Sequence, residues 1–497
     1  MIRHLSYFAA LGMAAASAAS FTVETMPNPP GVDPQIGGID ALPDGRIAAV
    51  FHRGELLIFD PVAKTWSRFA EGLQEPLGIV AESPSAFVVM QRAELTRIKD
   101  TDGDGKADEY ETVYDGFGLT GNYHEFAFGP AKGPDGFYYI ALNVGSNGAG
   151  VRPEIRGQWS DLGDLDRTQM IHDDQWGKRS VDAGRMYSRV PYRGWIMKVS
   201  PDGKTVVPYA CGFRSPDGIG FDRDGQLLVT DNQGDWRGTS PLYTVKEGGF
   251  YGHPASLVWR ESWAKGDPRK LPVPELDTLR TKETARFPQG ELANSPAQPV
   301  VFPASWGPFA GQTLLGEMNQ NRMVRFLPDE VNGFRQGTLI PMFDGTSLGN
   351  GNHRLTFGPD GSLWVGKTHL SWAGAEGLKR IRGNGLGSIF TVKSVKLEKA
   401  GDRQALRIAF SQPVTDGLEG VKMNRFSYKY QEEYGSPKIE EAEVTLDPPV
   451  LSADGREVLL GFDAKLGSIH HLVLSSLKNG GESLEGAELY YQASELP

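Results

Sequence analysis

Two sets of residues in this chain have the types and spacing to do chemistry. The stretch DTDGDGKADEYE, Asp100 to Glu111, packs six carboxylates into twelve residues. Counted from Asp100, acidic side chains fall at positions 1, 3, 5, 9 and 12 with Gly105 at position 6. A twelve-residue calcium loop uses that order to turn on itself and offer oxygens from all sides of a hard cation. The predicted ligands are the side chains of Asp100, Asp102, Asp104, Asp108 and Glu111 with the carbonyl of Lys106. An acidic, glycine-rich surface turn that holds no metal is the plain alternative. Such a ligand set nearly fills the ion's shell, so a calcium here holds a loop and leaves little for a substrate.

The second set is scattered along the chain. His124 in GNYHEF, Arg214 in CGFRSPDG and His353 in GNGNHRLTF each stand just before a strand-like run in a recurring phrase. Histidine suits general-base work near neutrality. A guanidinium fork suits a developing oxyanion, a planar carboxylate or a quinone. Against these roles stand plainer ones: a packing or turn histidine at 124, an arginine at 214 that ties neighbouring units together, and competition at 353 from Asn352 and Arg354. In TDNQGDWRG, Asp231, Gln233, Asp235 and nearby carbonyls can supply oxygens to a second calcium, and Trp236 offers a flat face to a sugar or ring cofactor. A turn capped by aspartates explains the same residues.

These positions converge only if a fold brings them together. The phrases GGIDALPDGRIAAV, PLGIVAESPSAFVVM, HEFAFGPAKGPDGFYYIAL, SPDGIGFDRDGQLLVT, PFAGQTLLGEM and HRLTFGPDGSLWVG repeat one plan, an alternating strand, a tight turn and another strand. Second halves such as GELLIFDP, AELTRIKD and RGWIMKVSPDG read as the next strand pair. A lone four-stranded unit cannot bury both its faces, whereas a closed ring can. The reading is all-β: a six-bladed β-propeller over residues 24–388, with long loops at Asn143–Arg193 and Arg260–Val301 as the substrate surface. From Ile389 the phrase disappears, and alternating strands over residues 389–497 predict a small immunoglobulin-like β-sandwich.

Composition narrows the partners. The chain carries 51 Lys and Arg against 62 Asp and Glu, a formal charge of −11, which disfavours a nucleic-acid groove. Cys211 is the single cysteine, so intrachain disulfides, CxxCH haem attachment, cysteine zinc sites and iron–sulfur clusters are excluded. Residues 1–19 combine a basic tip at Arg3, a short apolar run and small residues at Ala16 and Ala18, the pattern of a cleaved signal peptide. That run is too short for a membrane anchor, so the expected location is periplasmic or secreted, without stable membrane insertion.

The phrases HEFAFGP…DGFYYIA, GFRSPDGIGFDRDGQLLVTDNQG and EGGFYGHP resemble the soluble glucose and sorbosone dehydrogenases, calcium-containing six-bladed propellers that use pyrroloquinoline quinone (PQQ). The resemblance runs from about Gly37 to Gly385. It implies that His124 is the base on the sugar hydroxyl, that Arg214 contacts the quinone, and that Asn232, Gln233, Gly234 and Asp235 form the turn holding calcium beside the cofactor. The neighbours differ: the family's His-x-Gly-Gly is His124-Glu125-Phe126-Ala127 here, its Arg-Asn-Pro-Gln is Arg214-Ser215-Pro216-Asp217, and Asp235 stands where it has proline. The implied function is an exported PQQ-dependent oxidation of a sugar hydroxyl or hemiacetal, with an external electron acceptor or cytochrome as partner. Two other readings stay open: a polysaccharide lyase or hydrolase acting on an acidic glycan, and a non-catalytic propeller that binds glycans or protein.

Overall fold

The computed structural model describes residues 20–146, 155–160, 186–261, 263–369 and 374–497. The predicted signal peptide and most of the Asn143–Arg193 connection lie outside the described residues. The fold is all-β, with several four-stranded antiparallel sheets that resemble propeller blades. The first contains Ile36–Ala41, Ile47–Phe51, Leu56–Asp60 and Thr65–Ala70 in chain order, and the second Gly78–Ser83, Ala86–Met90, Leu95–Lys99 and Glu109–Tyr114. Ala127–Lys132, Tyr138–Leu142, Trp195–Val199 and Val206–Cys211 form the third. Gly218–Phe221, Leu227–Thr230, Ser240–Val245 and Ala285–Phe287 form the fourth. The fifth set is Pro296–Val301, Thr313–Glu317, Met323–Val331 and Phe334–Met342, and the sixth Asn352–Phe357, Leu363–Lys367 and Gly377–Asn384, the two joined into one sheet by the pairing of Glu317 with Asn352. The sixth takes its outermost strand from the other end of the chain, where Ser20–Thr25 pairs antiparallel with Gly377–Asn384.

Apolar residues fill the space between successive sheets. Val50, Leu56 and Ile58 meet Phe87 and Val89; Val88, Met90 and Leu95 meet Ile140 and Met197; Ile196 meets Val229 and Tyr243. Leu228 and Leu242 meet Leu315 and Val324, and Leu314 and Met323 meet Leu355 and Val365. Trp364 and Leu378 of the sixth set then meet Ile47 and Phe51 of the first. Each fully buried side chain of this kind contributes about 1.5–3 kcal/mol, and central strands such as Ile47–Phe51 are buried on both faces. The first strand of every set packs against the first strand of the next, and Asn352–Phe357 packs against Ile36–Ala41. Their backbones approach closely enough to demand glycine: a Cβ on Gly78 would lie 1.7 Å from the carbonyl oxygen of Gly129.

Beyond residue 388, Val392–Ala400, Arg403–Phe410, Glu457–Phe462 and Val450–Leu451 form one sheet. Four other C-terminal strands, Glu488–Ala493, Ser468–Val473, Lys422–Ser427 and Ile439–Glu443, continue the fifth set, because Glu488–Ala493 pairs with Phe334–Met342. The core between the two sheets includes Phe390, Leu406, Leu460 and Leu472, and also Leu327 and Ile340 from the fifth set. The C-terminal strands are thus bonded to and packed on the sheets that precede them.

Candidate functional site

His124, Arg214 and His353 line one cavity of about 370 Å³, together with Asp217, Asn232 and Gln233. The chain positions His124 and Arg214 through short polar turns that precede first strands, and His353 within the first strand Asn352–Phe357. Asn122 Oδ1 accepts from the backbone N–H groups of His124 (3.0 Å) and Ser146 (3.1 Å). The buried Glu125 carboxylate ties back Thr120 through its N–H at 2.7 Å and its hydroxyl at 2.8 Å. Asp231 accepts from the N–H groups of Arg214 and Ser215 at 2.9 and 2.6 Å. Val144 joins the two key residues: its carbonyl lies 3.0 Å from His124 Nδ1, and its N–H donates to the Arg214 carbonyl at 3.1 Å.

The electrostatics of the three residues differ. A carbonyl can only accept, so His124 carries its proton on Nδ1, and Nε2 is left with a lone pair. Burial, then the nearby Arg214 charge, pushes the His124 pKa down to about 4, partly opposed by the bond to Val144. His124 is therefore neutral at pH 7. Arg214 is 7 % exposed, and among the described residues its guanidinium makes no hydrogen bond. Nε forms an ion pair with Asp235 Oδ1 at 3.6 Å, beyond hydrogen-bond reach, and both atoms are buried without a hydrogen-bond partner. His353 is engaged already: its Nε2 lies 2.7 Å from Asp217 Oδ1, and Arg354 Nη2 is 3.2 Å from the same oxygen. Burial lowers the His353 pKa. Burial raises that of Asp217, but His353 and Arg354 outweigh it and hold the carboxylate charged.

The other predicted residues take several positions. Asn232 Oδ1 accepts from the Ser295 hydroxyl at 3.0 Å, and Gln233 Nε2 donates to the Gly238 carbonyl at 3.0 Å, both at the cavity wall. Asp235 Oδ2 lies 3.2 Å from His253 Nε2, so its carboxylate is held between His253 and Arg214. Gly234 bonds across its own turn to Arg237 and accepts from the N–H of Gly435. Trp236 is buried and packs at 5.5 Å on Tyr430; its face is turned to a neighbouring ring, away from the cavity lining.

In the acidic loop, ligand atoms of Asp100, Asp102 and Asp108 lie within 4.8 Å of one another. Asp100 accepts from the N–H groups of Gly103 and Gly105, Asp104 from that of Lys106, and Asp108 from Thr101. Glu111 lies on the strand beyond and pairs with Arg97 at 3.1 Å and Lys99 at 3.7 Å.

Three residues of the cavity escape a reading of the sequence alone. Asp217 is hidden in a Pro-Asp-Gly phrase that elsewhere marks a turn. Tyr123 precedes His124, and no spacing rule distinguishes it. Tyr434 lies 220 residues beyond Arg214, in the connection between the strands Lys422–Ser427 and Ile439–Glu443, and no local signal ties it to the site.

Comparison with known proteins gives few matches in sequence and many in architecture. Residues 59–207 match a family model described as a domain of unknown function (DUF7133). No curated protein matches. Among solved structures, a glucose dehydrogenase-type oxidoreductase of Thermus thermophilus is similar at 16 % identity and TM-score 0.48, over 73 % of this chain and 100 % of that one. The PQQ-bound aldose sugar dehydrogenase of Streptomyces coelicolor is similar at 15 % identity and TM-score 0.46, over 74 % and 99 %. The PQQ domain of pyranose dehydrogenase from Coprinopsis cinerea gives 13 % identity and TM-score 0.47, over 73 % and 95 %.

Proposed function

We propose that the cavity is the active site of an exported, PQQ-dependent oxidoreductase that acts on a sugar hydroxyl or hemiacetal. The observation that carries this reading is one cavity holding both a neutral histidine with an open ring nitrogen and a buried guanidinium with no hydrogen bond. The donor set suits the cofactor: a fork for a pair of planar oxygens at Arg214, amides at Asn232 and Gln233, and flat walls at Phe126 and Phe128. PQQ, when bound, supplies a two-electron acceptor for the hydride of the substrate carbon, and an external acceptor or cytochrome takes the electrons onward.

The protein's own part is proton transfer and charge placement. His124 Nε2 accepts the proton of the substrate hydroxyl, while Nδ1–H stays bonded to the Val144 carbonyl and steadies the imidazolium that forms. Arg214 lowers the energy of negative charge beside it, and its effect is strong because the surroundings are largely dry. His353 is a positioning residue in this reading, its Nε2 being spent on Asp217.

The same reading treats the six strand sets as a closed six-bladed propeller over residues 24–388, with 389–497 as a sandwich domain; the unbroken sequence of packed first strands supports it. Binding of PQQ with calcium, followed by dye reduction across a sugar panel, tests the function. His124→Ala should cost about 10²–10⁴ in kcat with the fold intact, and Arg214→Lys should weaken PQQ binding by losing the paired donors. Failure to bind PQQ, together with a rise in ultraviolet absorbance on a uronate polymer without any acceptor, would put the lyase in its place.

A structural calcium in the Asp100–Glu111 loop belongs to the same proposal, supported by the three clustered carboxylates. Asp102→Ala should lower bound calcium by about one ion per chain without changing sugar affinity. Equal calcium content in the two proteins would refute it.

A further inference from the structure

We infer that Tyr434, carried to the cavity by the C-terminal strands, forms with Tyr123 an aromatic subsite for a second sugar ring, so that the substrate is an oligosaccharide or the end of a glycan. This rests on the carbohydrate reading above and extends it to the size of the substrate. Large hydrophobic side chains are seldom exposed here; Tyr123 at 40 % and Tyr434 at 42 % are two of the few among the described residues, and both line the cavity. Tyr123 stands edge-on to His124, ring centres 5.7 Å apart, and Tyr434 lies with its ring 5.5 Å from the Arg214 guanidinium. An exposed aromatic face beside the reacting groups offers the C–H face of a sugar an apolar surface at little ordering cost, since tyrosine has only two side-chain torsions.

The segment carrying Tyr434 is fastened at its base. The N–H groups of Gly435 and Ser436 donate to the carbonyls of Gly234 and Gly238, each at 2.9 Å. Tyr430 donates to the Gly252 carbonyl at 2.6 Å and lies under Arg280 at 4.4 Å. Lys438 pairs with Glu291. These contacts seat the segment on the turn that follows Thr230, two residues of which, Asn232 and Gln233, line the cavity. Gly435 has φ of 70°, and a Cβ there would come within 3.0 Å of the Gln233 amide, so the approach is fitted to glycine. The ring is thus held at the mouth by a rigid base, as a recognition surface must be.

The test is calorimetric titration with cellotetraose, xylotetraose and tetragalacturonate, each against its monomer, with and without PQQ. At least one tetramer should bind the wild type about tenfold more tightly than its monomer, and Tyr434→Ala should remove that advantage while moving monomer affinity by less than about twofold. Tyr434→Phe keeps the ring and should keep the preference. Gly435→Val, which lifts the segment without deleting the ring, should behave like Tyr434→Ala. Equal binding of every tetramer and monomer, or equal loss of both in Tyr434→Ala, overturns the subsite. Because binding is read without turnover, failure of the dehydrogenase reading leaves this result standing, and turnover of monomers with no tetramer preference sinks the subsite alone.

Discussion

The tripeptide Pro-Asp-Gly occurs both at the ends of hairpins and at the cavity, and the two settings use the same aspartate oppositely. In the hairpin turns, Asp44, Asp135, Asp202 and Asp360 accept from the backbone N–H two residues on, at 3.0–3.2 Å. Their glycines, Gly45, Gly136, Gly203 and Gly361, all have positive φ. At the cavity, Asp217 makes no such bond; it is 3 % exposed and holds His353 and Arg354. Gly218 is needed there for a different reason, since a Cβ would fall 2.2 Å from the Ala297 carbonyl oxygen. A local phrase therefore specifies a turn only where solvent lies around it; between packed sheets, packing decides what the carboxylate does.

The sharpest way to break this contrast is to neutralise the two kinds of aspartate. Asp217→Asn leaves Arg354 buried without its counter-charge and should destabilise the protein by about 3–5 kcal/mol, read as a drop in the denaturant midpoint. Its cavity is damaged as well, so sugar binding should fall in parallel.

Next in size is the response to pH. Burial pushes the His52 pKa to about 3 and that of His470 to about 4, as it does for His124. The unfolded chain takes up these protons near pH 6.5 and the folded one does not. Stability is therefore full above pH 6.5 and is lost as pH falls toward 4, by up to about 1.4 kcal/mol per pH unit for each of the buried His52 and His470 and by less for the partly buried His124. The turn aspartates act lower: the hydrogen bond to Arg46 holds Asp44 below its ordinary range, so its contribution is present above pH 3.8 and goes only below it. Melting temperature should thus decline in two stages, the first between pH 6.5 and 4. Turnover that depends on neutral His124 should stay level to about pH 5; a fall near pH 6.5 would remove His124 from the base role.

The smallest effect belongs to the turns. Asp360→Ala removes bonds from the Ser362 N–H and hydroxyl and a half-exposed pairing with Arg380, and should cost about 1–2 kcal/mol, with no change in ligand binding. A loss as large as that of Asp217→Asn would erase the distinction.

The same contrast explains what is legible in the sequence. The strand-turn-strand phrases can be read because apolar alternation and turn chemistry are local, and they lead to six four-stranded sets with His124, Arg214 and His353 on one cavity. The acidic loop is legible as a cluster, whereas the strand register that sets Glu111 beside Arg97 and Lys99 shows in no local spacing. Trp236 reads as an open face because its turn is polar, whereas Tyr430, nearly 200 residues on, covers it. The role of Asp217 and the arrival of Tyr434 depend on contacts between distant segments, which no window of sequence contains.

The pairing of Ser20–Thr25 with Gly377–Asn384 also fixes an order of events. Ser20–Thr25 has its partner made roughly 350 residues later, an interval on the order of tens of seconds at ordinary rates of synthesis. Through that interval the strand is an unpaired edge, open to any other extended chain. The loop this pairing closes is among the longest in the molecule, so it should form late and slow refolding.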